Sequence, residues 1–277
     1  MEHIRQALDR AKQVGATVPD PTVALAQPQF QHVPGVPMAT RLWGREVALD
    51  PVHLESKRII SYNVSDPRSK SFDMLRTQVL QSMAMNSWQI VGTTSPSAAC
   101  GKSVVSANLA LSIARQQERP VLLVDLDLQK PQVARYLGIP CDSGIISLLE
   151  GRTTLADSLV RATVKSETIS VLPCEASTLS SSEWMASKRM ASIIQTIKRD
   201  FKDWTVIVDL PPLLTGDDVI TFLPSIDCVL FLAAVGTTTV SEIKECYKHL
   251  AATSVVRVVL NKSTEMPATY YSRYAES

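Results

Sequence analysis

Between Ile90 and Pro131 one continuous pattern constrains the whole chain. Ile90 and Val91 enter a loop of small residues that ends in Gly101-Lys102-Ser103. Val105, Leu109 and Ile113 follow on one helical face, with alanines beside them. A second apolar run, Val121–Val124, then stops on Asp125 and Asp127. Strand, loop, helix, strand and acid in this order describe a site for a nucleoside triphosphate. The backbone amides of Ala99, Cys100, Gly101, Lys102, Ser103 and Val104 are expected to face phosphate at the positive end of the helix. Lys102 is expected to bridge β- and γ-phosphate oxygens, and Ser103 to give its hydroxyl to Mg²⁺. The loop departs from GxxxxGK[ST]. Pro96 stands first and has no amide, and Ala98-Ala99-Cys100 stands where glycines often lie. Ala99 also carries a Cβ where the backbone should approach phosphate closely.

Three acids complete the pattern. Asp125 and Asp127 are two apart and share one face of a strand end. Carboxylates this close repel one another and attract a hard cation. One of them could order Mg²⁺ waters and the other accept a proton from an attacking hydroxyl. Asp209 closes the run WTVIVDLPP and fits a Mg²⁺-ordering role, after which Pro211-Pro212 forces the chain out of the sheet. Asn261, at the end of VVRVVLNK, reads either as a hydrogen-bonding partner for an adenine edge or as part of a polar turn.

From Ser87 to Lys262 apolar runs and helical patterns alternate. Strands are expected over Trp88–Thr94, Arg119–Asp127, Ile169–Pro173, Trp204–Leu210, Asp227–Val235 and Val255–Lys262. Helices are expected over 67–86, Lys102–Gln117, Glu183–Asp200 and Val240–Leu250, with short ones near Val133–Leu137, Gly144–Leu149 and Leu155–Leu159. Continuous apolar strands between helices imply an α/β fold, a mainly parallel sheet with helices on both faces, whose ligand lies beyond the carboxyl ends of the strands. The chain divides accordingly. Residues 1–14 are expected to form an amphipathic helix, 15–60 a proline-rich linker, 61–262 the catalytic domain, and 263–277 a polar tail. That tail holds Tyr270, Tyr271 and Tyr274, which read as phosphate acceptors or as rings docked on a neighbour.

Composition narrows the classes. A formal net charge of +1 gives no nucleic-acid footprint. Neither a membrane-length apolar run nor a secretory leader is evident. The five cysteines form no CxxC pair and the four histidines are far apart, so reduced thiols and no zinc site are expected, in a cytoplasmic setting.

With these residues placed, the stretch from Asp66 to Ser277 resembles the bacterial protein-tyrosine autokinases of exopolysaccharide and capsule loci. The likeness is carried by the deviant phosphate loop, VDLDLQKP at 124–131, VIVDLPPLL at 206–214, VVLNK at 258–262 and the tyrosine-bearing tail. The N-terminal helix and proline-rich linker are similar to the subgroup in exosortase-associated clusters. The resemblance implies a P-loop fold of the ParA/MinD kind and ATP with Mg²⁺ bound at Lys102, Ser103, Asp127 and Asp209. It implies Asp125 as the better candidate base, and Tyr270, Tyr271 and Tyr274 as substrates. It further implies rings in which one subunit's tail enters the next subunit's site, activated by a transmembrane polysaccharide co-polymerase that would recruit the kinase to the inner face of the membrane. Two motifs differ. The ExxRxxR of the family's first helix reads Lys70-x-x-Asp73-x-x-Arg76, and Gln129 replaces an arginine. The expected function is therefore ATP-dependent tyrosine autophosphorylation that regulates exopolysaccharide polymerisation or export. Its rivals are a catalytically weak nucleotide-binding scaffold and a ParA/MinD-like ATPase. The latter carries a second lysine early in the loop, where this chain has Pro96-Ser97.

Overall fold

A computed structural model describes residues 44–263 of the chain. The expected N-terminal helix, most of the linker and the three tail tyrosines lie outside the described residues.

Eight strands form one sheet: β1 (Arg45–Ala48), β2 (Ile90–Thr94), β3 (Val121–Asp125), β4 (Val160–Val164), β5 (Glu167–Leu172), β6 (Thr205–Asp209), β7 (Cys228–Ala234) and β8 (Ser254–Asn261). Their spatial order is β1-β4-β5-β3-β6-β2-β7-β8. Every neighbouring pair is parallel except the antiparallel hairpin β4–β5. The central strands IVGTT, VLLVD and TVIVD are buried at every position, as β-branched runs covered on both faces must be. Their register positions the site. Thr93 of β2 lies opposite Asp209 of β6, which lies opposite Asp125 of β3. Three strands that are not consecutive in the chain thus end level with one another.

Ten α-helices are described: α1 (Pro51–Ser56), α2 (Ser69–Met85), α3 (Lys102–Ala114), α4 (Val133–Leu137), α5 (Ile145–Glu150), α6 (Leu155–Ser158), α7 (Ser181–Met185), α8 (Lys188–Asp200), α9 (Asp218–Phe222) and α10 (Val240–His249). Helix α3 is buried almost all round, and its small residues Ser106, Ala107, Ala110 and Ser112 let it lie close against its neighbours. Helix α2 packs across it through polar contacts. Arg76 donates to the Ser112 carbonyl at 3.0 Å, Ser112 Oγ donates to Asp73 at 2.9 Å, and Arg115 pairs with Asp73.

Two sequence expectations are corrected here. The linker does not run to residue 60, because β1 and α1 occupy 45–56. Pro51, read as a breaker, is the first residue of α1, where a missing N–H costs nothing, and Asp50 Oδ1 caps the helix by accepting from Val52 N at 2.9 Å. The single helix expected over Glu183–Asp200 is two helices, because Ser187 takes an extended conformation and caps α8 by accepting from Met190 N at 3.0 Å. Strand β4 gave no signal in advance. Its hairpin turn is Lys165-Ser166, with Lys165 at φ 52° and no glycine or asparagine to announce it.

The α2–α3 contacts yield a first prediction. Arg76→Ala strands the Ser112 carbonyl and removes one of the three side-chain partners of the Asp73 carboxylate, so urea unfolding is expected to lose about 1–3 kcal/mol. Sedimentation should be unchanged, because Asp73 and Arg76 are engaged within one chain. A change of oligomer at unchanged stability would place Arg76 at a subunit contact instead.

Candidate active site

The chain leaves β2 at Thr94 and curls through Ser95–Cys100 into α3. Two left-handed residues make the curl, Ala99 at φ 62° and Gly101 at φ 95°. Gly101 is required twice over, by its φ and because an added Cβ would overlap the side-chain amide of Asn261. Ala99 holds its left-handed conformation against a cost of about 1–2 kcal/mol. The chain after β6 straps the loop down. Leu213 N donates to the Ser95 carbonyl at 2.8 Å, Leu214 N to the Pro96 carbonyl at 3.1 Å, and Thr94 Oγ1 to the Pro211 carbonyl at 2.7 Å. Asn261 braces the far side, its Nδ2 donating to the Cys100 carbonyl at 2.8 Å. That placement ties Asn261 to the loop backbone. Cys100 is buried beneath the loop near Thr238 Oγ1 and Ser97 Oγ. Burial pushes its thiol up, but hydrogen bonds from Thr238, Ser97 and Ser95 outweigh it and leave the thiol below its ordinary range.

Lys102 and Ser103 open α3, and each meets an acid. Ser103 Oγ donates to Asp209 Oδ2 at 2.5 Å, and Ser106 Oγ donates to Asp209 Oδ1 at 3.1 Å. Lys102 Nζ lies 3.9 Å from Asp127 Oδ2. Asp125, the acid the resemblance marks as the better candidate base, is held differently from its two neighbours. It is 0% exposed, and backbone amides take both of its oxygens. Asp127 N donates to Oδ1 at 3.2 Å, and Gln132 N and Val133 N donate to Oδ2 at 3.1 and 3.0 Å. Asp125 thus shapes the turn from β3 into α4. Asp127 keeps 7% exposure, accepts from Lys130 N through Oδ1 at 3.1 Å, and turns Oδ2 toward Lys102.

The electrostatics follow from this burial. Desolvation, then the Asp209 charge, holds the Asp125 carboxyl well above the usual carboxylate range. Burial lifts Asp209 to about 6 against the opposing pull of Lys102 and Ser103. Burial also raises Asp127, again opposed by Lys102. A metal-free site therefore concentrates more negative charge than one lysine offsets. Among the described residues no three metal-ligating side chains converge into a cluster. Mg²⁺ binds through one or two protein oxygens and completes its shell with water and phosphate. The residues fit a Mg²⁺–nucleotide on three counts: the Ser103–Asp209 pair, the buried Lys102 and the glycine-dependent loop at the start of a 13-residue helix.

These shifts predict how stability depends on pH. From about pH 4 to about pH 6 the folded chain holds at Asp209 a proton that the unfolded chain has released, and the raised Asp125 acts in the same direction. Stability therefore falls as pH rises through that window, by roughly 2–3 kcal/mol. Urea unfolding in EDTA at pH 5 and pH 7.5 should show the fall, and Asp209→Asn should reduce it by the share that Asp209 carries. A flat profile would contradict the buried-acid arrangement.

Three further residues join the site that sequence reasoning passed over. Ser106 stands three positions after Ser103 on the same helical face, which was a readable signal. Thr238 accepts from Ala234 N at 2.9 Å and lies under Cys100. Asp218, 2% exposed, bears electrostatically on Asp127 and accepts from Gln129 Nε2 at 2.8 Å. Gln129 also donates to Ser181 Oγ at 3.0 Å, so this glutamine links the acid loop to α7 and α9.

Fold and loop together define a P-loop nucleotide-binding domain. The family model described as the CobQ/CobB/MinD/ParA nucleotide binding domain matches residues 91–276, and the chain belongs to that family. Within it the chain belongs to the bacterial tyrosine-protein kinases of polysaccharide biosynthesis. It is 30% identical over 212 residues to a Staphylococcus aureus protein with the provisional name tyrosine-protein kinase CapB, covering 75% of this chain and 90% of CapB. It is 32% identical over 213 residues to the similarly named EpsB of Ralstonia nicotianae, covering 76% of this chain but 27% of EpsB. Among solved structures, the chimerical protein CapA2B2 matches with a TM-score of 0.68 at 25% identity, over 81% of this chain and 94% of that one.

Proposed function

We propose that the chain uses Mg²⁺–ATP as co-substrate and transfers the γ-phosphoryl group to Tyr270, Tyr271 and Tyr274 of a second copy. The observation that carries this reading is the division of labour among the acids. Asp209 is spent on Ser103, Asp125 on backbone amides, and Asp127 alone of the three turns an oxygen toward Lys102. Asp127 is therefore the proton acceptor for the phenol, with Asp125 its support.

In the proposed reaction the tyrosine oxygen forms the new bond to phosphorus as the bond to the ADP oxygen breaks. The phenolic proton passes to Asp127. A carboxylate is a weak base for a phenol of pKa near 10, so this proton moves late, when the phenol is already giving up its electrons. Lys102 holds the charge that gathers on the transferred group, and the loop amides at the start of α3 orient it. Ser103, with Asp209 and Asp127 behind it, would hold Mg²⁺, and the ion would supply neutralisation of phosphate charge. The raised Asp127 suits proton acceptance near neutral pH.

The catalytically weak scaffold rested on the glycine-poor loop. Ala99 takes the left-handed conformation without glycine, which favours a working loop. For its setting, we infer regulation of exopolysaccharide polymerisation or export in the cytoplasm, beside a separate membrane co-polymerase. No helix among the described residues is long and apolar enough to cross a membrane. A ring of copies remains the proposed assembly, built on residues other than Asp73 and Arg76.

The test is incubation of the purified chain with labelled Mg²⁺–ATP, followed by site mapping. Label on tail tyrosines supports the proposal. Label confined to serine or threonine, or none with nucleotide bound, overturns it.

A further inference from the structure

Beside the acid loop lies a cavity of about 530 Å³, lined among others by Gln129, Lys130, Gln132, Arg135, Cys141 and Glu175. Its wall and the proposed base share one turn of chain, since Lys130 N donates to Asp127 Oδ1 at 3.1 Å. Two cations, Lys130 and Arg135, stand exposed on that wall. Neither has an ion pair among the described residues, and Arg135 reaches only Gln132 Oε1, at 3.4 Å. The one acid in the lining is already satisfied. Glu175 accepts from Ser147 N at 2.5 Å and Ile146 N at 3.1 Å, so its charge is directed into the start of α5. The thiol of Cys141 is pushed by burial up to about 11, and burial raises Cys174 as well, so both stay neutral and add no charge. The cavity is therefore a concave site of small-ligand size with two exposed cations at its wall, of which Lys130 also bears electrostatically on Asp127.

We propose that this cavity binds a phosphotyrosine of the tail that has already been modified, and thereby places the next tyrosine at Asp127. The inference rests on the kinase reading above. A phosphotyrosine carries about −1.5 to −2 charge, and an arginine fork grips such a group in two places. The spacing in the tail suits the arrangement. Tyr274 lies three and four residues from Tyr271 and Tyr270, about 10–14 Å of extended chain. A phosphate on Tyr274 held by Lys130 and Arg135 leaves Tyr270 or Tyr271 within reach of the neighbouring acid loop. Once the first phosphate is seated, delivery of the next tyrosine is intramolecular, and its effective concentration rises accordingly. Each later transfer is the same balanced reaction, with one ATP consumed, one ADP released and one phenolic proton passed to Asp127. Modification then becomes sequential, with the first event slow and the later ones fast.

Two measurements on the full-length chain test this. In the first, labelled tail peptide 263–277 is titrated with and without phosphate on Tyr274. The phosphorylated peptide is expected to bind about 10-fold more tightly, and the Lys130→Ala/Arg135→Ala double variant to lose that preference. Equal affinity of the two peptides for the wild-type chain overturns the proposal, as does a preference that survives in the double variant. Inorganic phosphate should compete with the phosphopeptide, and a preference indifferent to it overturns an anion-reading site. In the second, intact-mass time courses compare the second transfer with the first. The wild type should pass quickly from unmodified to multiply phosphorylated chains, whereas the variant should accumulate the singly phosphorylated form, its ratio of second to first rate reduced at least 5-fold. An unchanged ratio overturns the proposal. Absence of all tail phosphate, with the peptide preference intact, would instead remove the kinase reading and leave the pocket standing. Both side chains are exposed, so an unaltered melting temperature is the expected folding control, and Arg135→Lys should restore part of the preference.

Discussion

Replacing Lys102 with methionine is expected to lower autophosphorylation by roughly 10³-fold or more, with the fold retained. Removal of a single preorganised donor to developing charge costs about 10²–10³ in rate, and Lys102 is more than one donor. It is the cation that opposes the raised pKa of both Asp127 and Asp209, and its Nζ stands 3.9 Å from Asp127 Oδ2. Without it the acids hold their protons to still higher pH, so the proposed base is blunted in the same stroke that phosphate loses its partner. The variant should therefore lose stability more steeply between pH 5 and pH 7.5 than the wild type in EDTA. Radiolabel incorporation and urea unfolding at the two pH values check the two halves separately. Retained labelling would show that the site is misassigned. A parallel pH dependence would show that Lys102 does not hold the acid cluster.

The second large effect falls outside the reaction. Asn108→Ala is expected to cost about 3–5 kcal/mol of folding stability. Asn108 is fully buried on α3, two turns after the phosphate loop. Its Oδ1 accepts from Ile60 N at 2.8 Å, Ser61 N at 3.0 Å and Ser61 Oγ at 2.9 Å. Its Nδ2 donates to the carbonyls of Arg58 and Val104 at 2.9 and 2.8 Å. One side chain therefore satisfies the backbone of the segment 58–61, where Arg58 is left-handed at φ 61°. Alanine strands two buried amides and a carbonyl, each at about 1–3 kcal/mol before relaxation. A domain of this size should lose roughly 8–15 °C of melting temperature. Calorimetry checks it, and a shift below about 2 °C would mean that water takes over the contacts.

These two residues also mark how far the sequence could be read. Lys102 was legible because a strand, a loop and a helix in order leave little choice for Gly101-Lys102-Ser103. Asp209 was legible because an acid set between an apolar run and Pro211-Pro212 marks the carboxyl end of a buried strand, where ligands of a parallel sheet gather. Their convergence was not. It depends on β3, β6 and β2 lying side by side with Asp125, Asp209 and Thr93 in register, and register between non-consecutive strands leaves no local trace. The surroundings of Asp125 were hidden for a related reason. A carboxylate beside a phosphate loop reads as a base until the amides of Gln132 and Val133 are seen to occupy it, and those arrive from a turn with no periodicity. Asn108 was passed over because one asparagine in a helical pattern looks like surface, and its partners at 58–61 belong to a stretch read as linker. Pro51 caused that reading, since a proline starts helices as readily as it breaks them.

The division of labour among the acids is tested most directly by exchanging one at a time. Asp127→Asn and Asp125→Asn should each be incubated with labelled Mg²⁺–ATP and with the cytoplasmic segment of the membrane partner, alongside nucleotide-binding and unfolding measurements. If Asp127 accepts the tyrosine proton, Asp127→Asn should bind nucleotide and keep its stability, yet place roughly 10²–10⁴-fold less phosphate on Tyr270, Tyr271 and Tyr274. Asp125→Asn should show its main defect in unfolding. Full tail labelling in Asp127→Asn, with labelling lost in a stable Asp125→Asn, would contradict the assignment and return the proton to Asp125.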